Sequence, residues 1–532
     1  MIVKANLVDI QNREIYPSHI EVQDGKIVSI KRVDEVCKNY ILPGFIDSHI
    51  HIESSMLPPS EFARLAVVHG TVATVSDPHE IANVLGMRGV EFMLDDASKT
   101  PFKFAFGASP CVPATPFETS GATLSLEDVK TLLANPQIKF LSEVMNFPGV
   151  LMGDEDMLAK IAAAKEVAKP IDGHAPALDG EDLTTYINAG ITTEHEAFSY
   201  EEGLEKLQKG MKILIREGSA AKNFEALHPL IDEYHSMMMF CSDDRHPNDL
   251  LRGHINEMVV RAIALGHDKF DVLEIACLNP IKHYNLDVGM LRVGDSADFI
   301  VVKDLEKFEV VESIIEGKVV AKDGETLLAS QTIEPLNNFN ATVKEPKDFY
   351  LPKCENMEVI QVVDHELMTY EQVLGDGDED VLKIAVINRY EDAPIQGLAH
   401  VKGFHLKEGA IASSVAHDSH NIIVVGCSDE AMAEAANLVI NAKGGVSCVS
   451  SSESYILPLE IAGIMSTAKG EEVAQKYEEM DKFVKEELGS TLSAPFMTLS
   501  FMALLVIPEL KLSDKGLFDG RSFHFISPCK EE

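Results

Sequence analysis

The chain has 532 residues, 45% of them hydrophobic and 25% charged, the balance of an ordinary soluble protein able to bury large cores. Its formal net charge of −39 excludes nucleic acid and anionic membrane as partners, because both require basic surface. The eight cysteines are scattered without a Cys-x-x-Cys pair, which reads as a reduced, cytoplasmic protein lacking a disulfide framework or structural zinc site.

Residues 1–40 read as short strands, with Asp24-Gly25 as a hairpin turn between Ile20-Glu21-Val22 and the run 26–30. No charged and then apolar leader opens the chain, so no secretory signal is expected. From residue 41 strands and helices alternate. Eight apolar strand candidates end near His51, His79, Ser109, Glu143, His174, His195, Gly218 and Asp243. Helical stretches over 61–69, 81–97, 126–133, 157–167, 183–189, 202–209 and 220–234 separate them, and two more near 255–265 and 272–276 follow. This predicts an α/β fold whose centre, 41–286, is a TIM (β/α)8 barrel. Residues 287–345 resemble the first forty in strand content, so 1–40 and 287–345 are expected to form one small composite β-sandwich.

Beyond residue 346 the pattern changes to a C-terminal α+β domain, 346–532, with strands over 381–386, 411–415 and 421–426 and helices over 430–441 and 471–488. The longest apolar stretch, 494–508, carries Thr and Ser and is shorter than the roughly 20 residues of a spanning helix, so a buried helix is expected. The segment Ala416-His417-Asp418-Ser419-His420-Asn421 has two histidines around an acid. Its plain reading is a loop bonded to its own backbone. Its functional reading is a lid over the barrel mouth.

Chemistry concentrates at the strand ends. In Pro43-Gly44-Phe45-Ile46-Asp47-Ser48-His49-Ile50-His51, residues i and i+2 of a strand point the same way, so two imidazoles converge. Glu143, His174, His195 and Asp243 stand at the ends of later strands, where TIM barrels place their active sites. Four imidazoles and two carboxylates can hold two divalent ions, with Glu143 as the bridge. A lone His174 or His195 would be an ordinary loop residue, and Glu194 and Glu196 read as solvent-facing or paired. Asp243 is the candidate acid–base group. His79 and Glu80 either face the same mouth or merely start a helix after Asp77-Pro78. Glu53 and Asp244 are expected to orient imidazoles.

The first-strand signature resembles that of the amidohydrolase superfamily. A closer resemblance, to the adenine deaminase family of bacteria and archaea, is carried by four motifs: His51-Ile52-Glu53-Ser54-Ser55-Met56, Ser76-Asp77-Pro78-His79-Glu80-Ile81-Ala82-Asn83-Val84, Asp172-Gly173-His174-Ala175-Pro176 and Ser242-Asp243-Asp244-Arg245-His246-Pro247. It extends over nearly the whole chain. It implies hydrolytic deamination of adenine to hypoxanthine and ammonia by a metal-activated hydroxide. The binuclear centre would hold manganese or iron, with zinc admissible, on His49, His51, Glu143, His174, His195 and Asp243. The alternatives are another metal-dependent cyclic amidohydrolase, or a non-catalytic module, which the filled ligand positions disfavour. A homodimer is the ordinary expectation for a soluble enzyme.

Overall fold

The computed structural model describes residues 1–352, 354–375 and 377–530. Eight strands in parallel arcs form the barrel: Phe45–Ile50 (β1), Thr71–Ser76 (β2), Lys103–Ala108 (β3), Ile138–Val144 (β4), Ile171–Gly173 (β5), Thr193–Glu194 (β6), Lys212–Arg216 (β7) and Met238–Cys241 (β8). The arcs β1–β5 and β6–β8 are joined where Thr192 N donates to Ile171 O, 2.8 Å, and where Ile50 bridges Asp243 in parallel register. Almost every residue of these strands is buried, as expected of parallel strands covered on both faces. Gly44 permits the turn into β1, because a Cβ there would lie 2.3 Å from the Val72 side chain of β2.

Two sequence expectations shift in detail. Strand β7 ends at Arg216, before Gly218. The helix expected over 220–234 is broken into Phe224–Leu227, a 3-10 turn at His228–Leu230 and Ile231–Tyr234. Pro229 lacks the N–H that a continuous helix needs there.

The flanking strands from both ends of the chain join through Tyr40–Pro43. This strand pairs in parallel with Ile2–Asp9 and antiparallel with Phe299–Val302, giving one continuous eight-stranded sheet. Ile20 and Val22 from the N-terminal half share a core with Phe299 and Ile314 from the other, so the sheet folds over itself. The Asp24-Gly25 turn has φ of 50° and 76°, the left-handed pair that a two-residue hairpin favours.

The C-terminal region carries a second eight-stranded sheet. Its strands include Val381–Ile387, Ala410–Ser413 and Ile422–Gly426. Successive residues serve different cores. Ile384, Val386, Ile411, Ile423 and Val425 belong to the apolar cluster that includes the barrel, whereas Ala385, Ile387, Ala410, Ala412 and Val424 pack with helix Asp429–Ala442. Side chains alternate along a strand, so these runs are hydrophobic on both faces. The sheet is thereby fused to the barrel and holds its loops against the barrel mouth. Within the apolar stretch 494–508 only Pro495–Phe501 is helical, and it is buried throughout. Among the described residues no helix is long and apolar enough to cross a membrane. Cys354 and Cys529 are joined as a disulfide, which corrects the reading of a chain without one. The fold brings together two residues 175 positions apart, which spacing in the sequence does not reveal.

Candidate metal centre

All six residues expected to hold metal converge at the C-terminal end of the barrel, each at least 94% buried. His49 and His51 leave β1 together. Their Nε2 atoms lie 3.3 and 3.2 Å from Asp243 Oδ1. Asp243 follows β8 with φ of 52°, a left-handed conformation that Asp tolerates better than most residues. Barrel closure holds it there: Asp243 N donates to His49 O, 2.9 Å, and His51 N donates to Asp243 O, 3.2 Å. Glu143, at the end of β4, occupies the centre. Its Oε1 lies 3.2 Å from His51 Nε2, and its Oε2 lies 2.8 Å from His174 Nδ1 and 3.4 Å from His195 Nε2.

These atoms are arranged as ligands rather than as a finished hydrogen-bond network. Both ring nitrogens of His49 and Nε2 of His174 are buried without a hydrogen-bond partner among the described residues. Leaving such groups unpaired is costly, and a cation satisfies them. Ligand atoms of His49, His195 and Asp243 lie within 4.8 Å of one another, as do those of Glu143, His174 and His195 and those of His51, Asp77, His79 and Glu143. The donors are nitrogen and oxygen, so the set fits two divalent ions of borderline or hard character.

The charges suit that task. Burial alone would raise the Asp243 carboxyl, yet Arg216 and the two imidazoles hold it well below the usual carboxylate range. Glu143 is likewise held down against burial by His174, His195 and His51. Burial lowers His49 toward the neutral form a ligand needs, whereas at His51, His174 and His195 the neighbouring carboxylates outweigh burial and favour the imidazolium, whose proton a cation would replace. Arg216 Nη1 donates to Asp243 Oδ2, 2.6 Å, and Nη2 donates to Glu196 Oε2, 2.9 Å. Asp243 Oδ1 is therefore left facing the histidines.

The sequence reading missed Arg216, which ends an apolar strand as Lys212-Ile213-Leu214-Ile215-Arg216. A charge closing such a run was the available signal. Of the two readings of Glu194 and Glu196, solvent-facing or paired, the second holds: both are buried, and Glu196 pairs with Arg216. Glu194 accepts from Ala175 N, 2.9 Å, beside His174. Glu53 and Asp244 do not orient the ligand imidazoles. Glu53 accepts the Ile81 N–H, 3.2 Å, in the first turn of helix His79–Leu85, and Asp244 accepts from Ser54 Oγ, 2.5 Å. The Asp77 carbonyl fills that role for His51, 3.1 Å from its Nδ1.

His79 and Glu80 open a helix, as one reading has it, and both are buried beside the ligand cluster. His79 Nδ1 lies 3.0 Å from Asp77 Oδ2 and 3.4 Å from Glu143 Oε1. The Glu80 carboxylate is gripped from the C-terminal domain, by His417 Nδ1 on one oxygen and His420 Nε2 on the other. Burial opposes the charge on His417, but Glu80 and Asp244 hold its imidazolium at about 9. Burial pushes His420 down to about 4. At neutral pH Glu80 therefore faces one charged and one neutral imidazole. The segment 416–421 closes on itself, His420 N donating to Ala416 O, 2.7 Å, and it also lines the site, since its two histidines reach Glu80.

Two family models match the chain: the amidohydrolase family over residues 40–320 and the adenine deaminase C-terminal domain over residues 358–524. An adenine deaminase of Sulfurovum sp. (strain NBC37-1) is 64% identical and covers 100% of both chains. One from Salinibacter ruber is 53% identical over 98% of each chain. One from Borreliella burgdorferi is 49% identical over 98% of this chain and 99% of its own.

Proposed function

This chain belongs to the adenine deaminases of the amidohydrolase family, and we infer from that premise that it hydrolyses adenine to hypoxanthine and ammonia. One observation carries the site-level reading. A single buried carboxylate, Glu143, presents one oxygen to His51 and the other to His174 and His195, so it could be shared by two cations. On this reading His49, His51, Glu143, His174, His195 and Asp243 hold the pair, with manganese or iron the expected ions. When bound, such a pair lends Lewis acidity and brings the acidity of water toward neutral pH.

The protein's own groups then have distinct tasks. Water adds at C6 of the purine, and Asp243 Oδ1, held ionised by Arg216, accepts its proton. Addition at C6 places charge on N1, which must take a proton. On this reading the His79–Glu80 pair, with His79 within 3.4 Å of Glu143, supplies that proton. Asp243 returns its proton to the amino group, the C6–N bond breaks, ammonia leaves, and the proton of the C6 hydroxyl returns to the group that protonated N1, leaving the carbonyl of hypoxanthine. The walls supplied by His417 and His420 exclude bulk water from these transfers. The same reading makes the protein a cytoplasmic purine-salvage enzyme and a homodimer.

The test is metal analysis of the purified protein together with an adenine-to-hypoxanthine absorbance assay and ammonia release. Two metal equivalents with ammonia formed from adenine support the reading. A ring-opened product without ammonia overturns it.

A further inference from the structure

Asp418 is a buried carboxylate in the wall of the site. It lies in the C-terminal segment between His417 and His420, is 3% exposed, and its Oδ2 has no hydrogen-bond partner among the described residues. Its Oδ1 is 3.8 Å from His79 Nε2. The opposite nitrogen of the same ring, Nδ1, is 3.4 Å from Glu143 Oε1. One imidazole therefore separates Asp418 from the centre of the ligand cluster. Glu80, its neighbour, is occupied on both oxygens by His417 and His420. A buried carboxylate oxygen without a donor is costly, and the protein supplies none here.

Resting on the functional reading above, we propose that Asp418 is a specificity-determining residue which accepts the ring N–H of the five-membered half of a free purine base. A flat bicyclic base laid along His79, with C6 toward Glu143, presents its imidazole edge to Asp418. Only the free base carries an N–H there. A nucleoside replaces that hydrogen with a sugar, leaving the carboxylate buried and unpaired and adding bulk against a closed wall. Glu118 stands beside Asp418 with a second buried, unpartnered oxygen, Oε2, and its Oε1 accepts from Thr115, 3.1 Å. Burial pushes the Glu118 carboxyl up to about 8, so it serves as a donor, suited to the unprotonated nitrogen of the same five-membered ring, across C8 from that N–H. The C-terminal domain thus does more than cover the barrel: it contributes the acceptor that tells a base from its nucleoside.

The experiment compares wild type, Asp418→Ala and Asp418→Asn in the metal-loaded full chain. It measures kcat and KM for adenine and inhibition constants for purine and 9-methylpurine, with metal content as a control. The expected result for Asp418→Ala is a rise of tenfold to a hundredfold, on the order of one charge-assisted hydrogen bond, in KM for adenine and in the purine inhibition constant. The 9-methylpurine constant stays within about threefold and two metals remain, so discrimination between the two purines collapses. Asp418→Asn, which keeps a neutral acceptor of the same shape, falls between; it decides the matter if the alanine variant does not fold. Unchanged discrimination in a folded, two-metal variant overturns the assignment, as does a loss confined to kcat. A wild type that binds and turns over no adenine overturns the functional reading itself, and this inference with it.

Discussion

Arg216→Met is the perturbation that most directly probes how the barrel holds Asp243, the carboxylate proposed for acid–base work. Arg216 is 5% exposed and forks between Asp243 and Glu196. Methionine fills similar space but leaves two buried carboxylates facing each other without a cation. Removing one partner of a buried ion pair typically costs about 3–5 kcal/mol. For a domain of barrel size that corresponds to roughly 10 °C in melting temperature. The cost depends on metal. Cations held by Asp243 offset part of the uncompensated charge, so the loss is expected to be larger in the metal-free protein than in the metal-loaded one. Calorimetry of both forms, with metal analysis and steady-state kinetics, reads these quantities. Activity should fall at least tenfold, because Asp243 loses the partner that keeps Oδ1 turned toward His49 and His51. Arg216→Lys should recover stability better than activity, since a point charge cannot reproduce the two-pronged geometry. If metal-free Arg216→Met melts within 2 °C of wild type, the claim that Arg216 compensates these carboxylates is wrong.

Glu143→Gln should leave the fold intact but lower bound metal from two equivalents toward one and nearly abolish turnover; two tightly held metals with normal rates would remove the bridge. Asp243→Asn should lower kcat by roughly 10²–10⁴-fold, the scale of acid–base catalysis, and a variant in which only KM rises would contradict its role. The double variant His417→Ala/His420→Ala leaves Glu80 buried without either imidazole, so stopped-flow kinetics should show kcat/KM for adenine lowered at least tenfold, and wild-type values would strike these histidines from the site. Because the folded state raises His417 from 6.5 to about 9, its contribution is fully present below pH 6.5 and is lost as pH climbs through about 9. It is worth at most about 3 kcal/mol at 1.36 kcal/mol per pH unit, so the melting temperature should fall between pH 6.5 and 9 in wild type and fall less in His417→Ala, and parallel curves for the two proteins would refute this linkage.

Much of the site was legible in the linear sequence because its signals are local. Most of the apolar strands of parallel-sheet type end in a ligand-type side chain, Ser109 and Gly218 excepted, and period-two geometry places His49 and His51 together. A barrel puts all such ends on one rim, so Glu143, His174, His195 and Asp243 followed from strand order. The hairpin at Asp24-Gly25 was equally local, since both residues take the left-handed conformation that such a turn demands. The break at Pro229 is local too, since proline lacks the N–H that helical periodicity over 220–234 presupposes.

What remained depended on distance in the chain. Nothing near Glu80 indicates that histidines 337 and 340 positions later bind its two oxygens. That contact exists because the C-terminal sheet buries one face against the barrel, an arrangement visible only after both faces of strands such as Val381–Ile387 have found partners. Arg216 looked like the end of a strand, and only barrel closure set it against Asp243 and Glu196. Glu53 and Asp244, adjacent in sequence to His51 and Asp243, were assigned to them by proximity, yet strand ends and helix starts turn neighbouring side chains in different directions. The amino-acid sequence by itself determined which groups could bind metal and at which rim they would gather, because backbone periodicity is a property of a few consecutive residues. The tertiary structure alone decided which charges compensate one another and which segment walls the site, because those choices are made by burial among parts of the chain hundreds of residues apart.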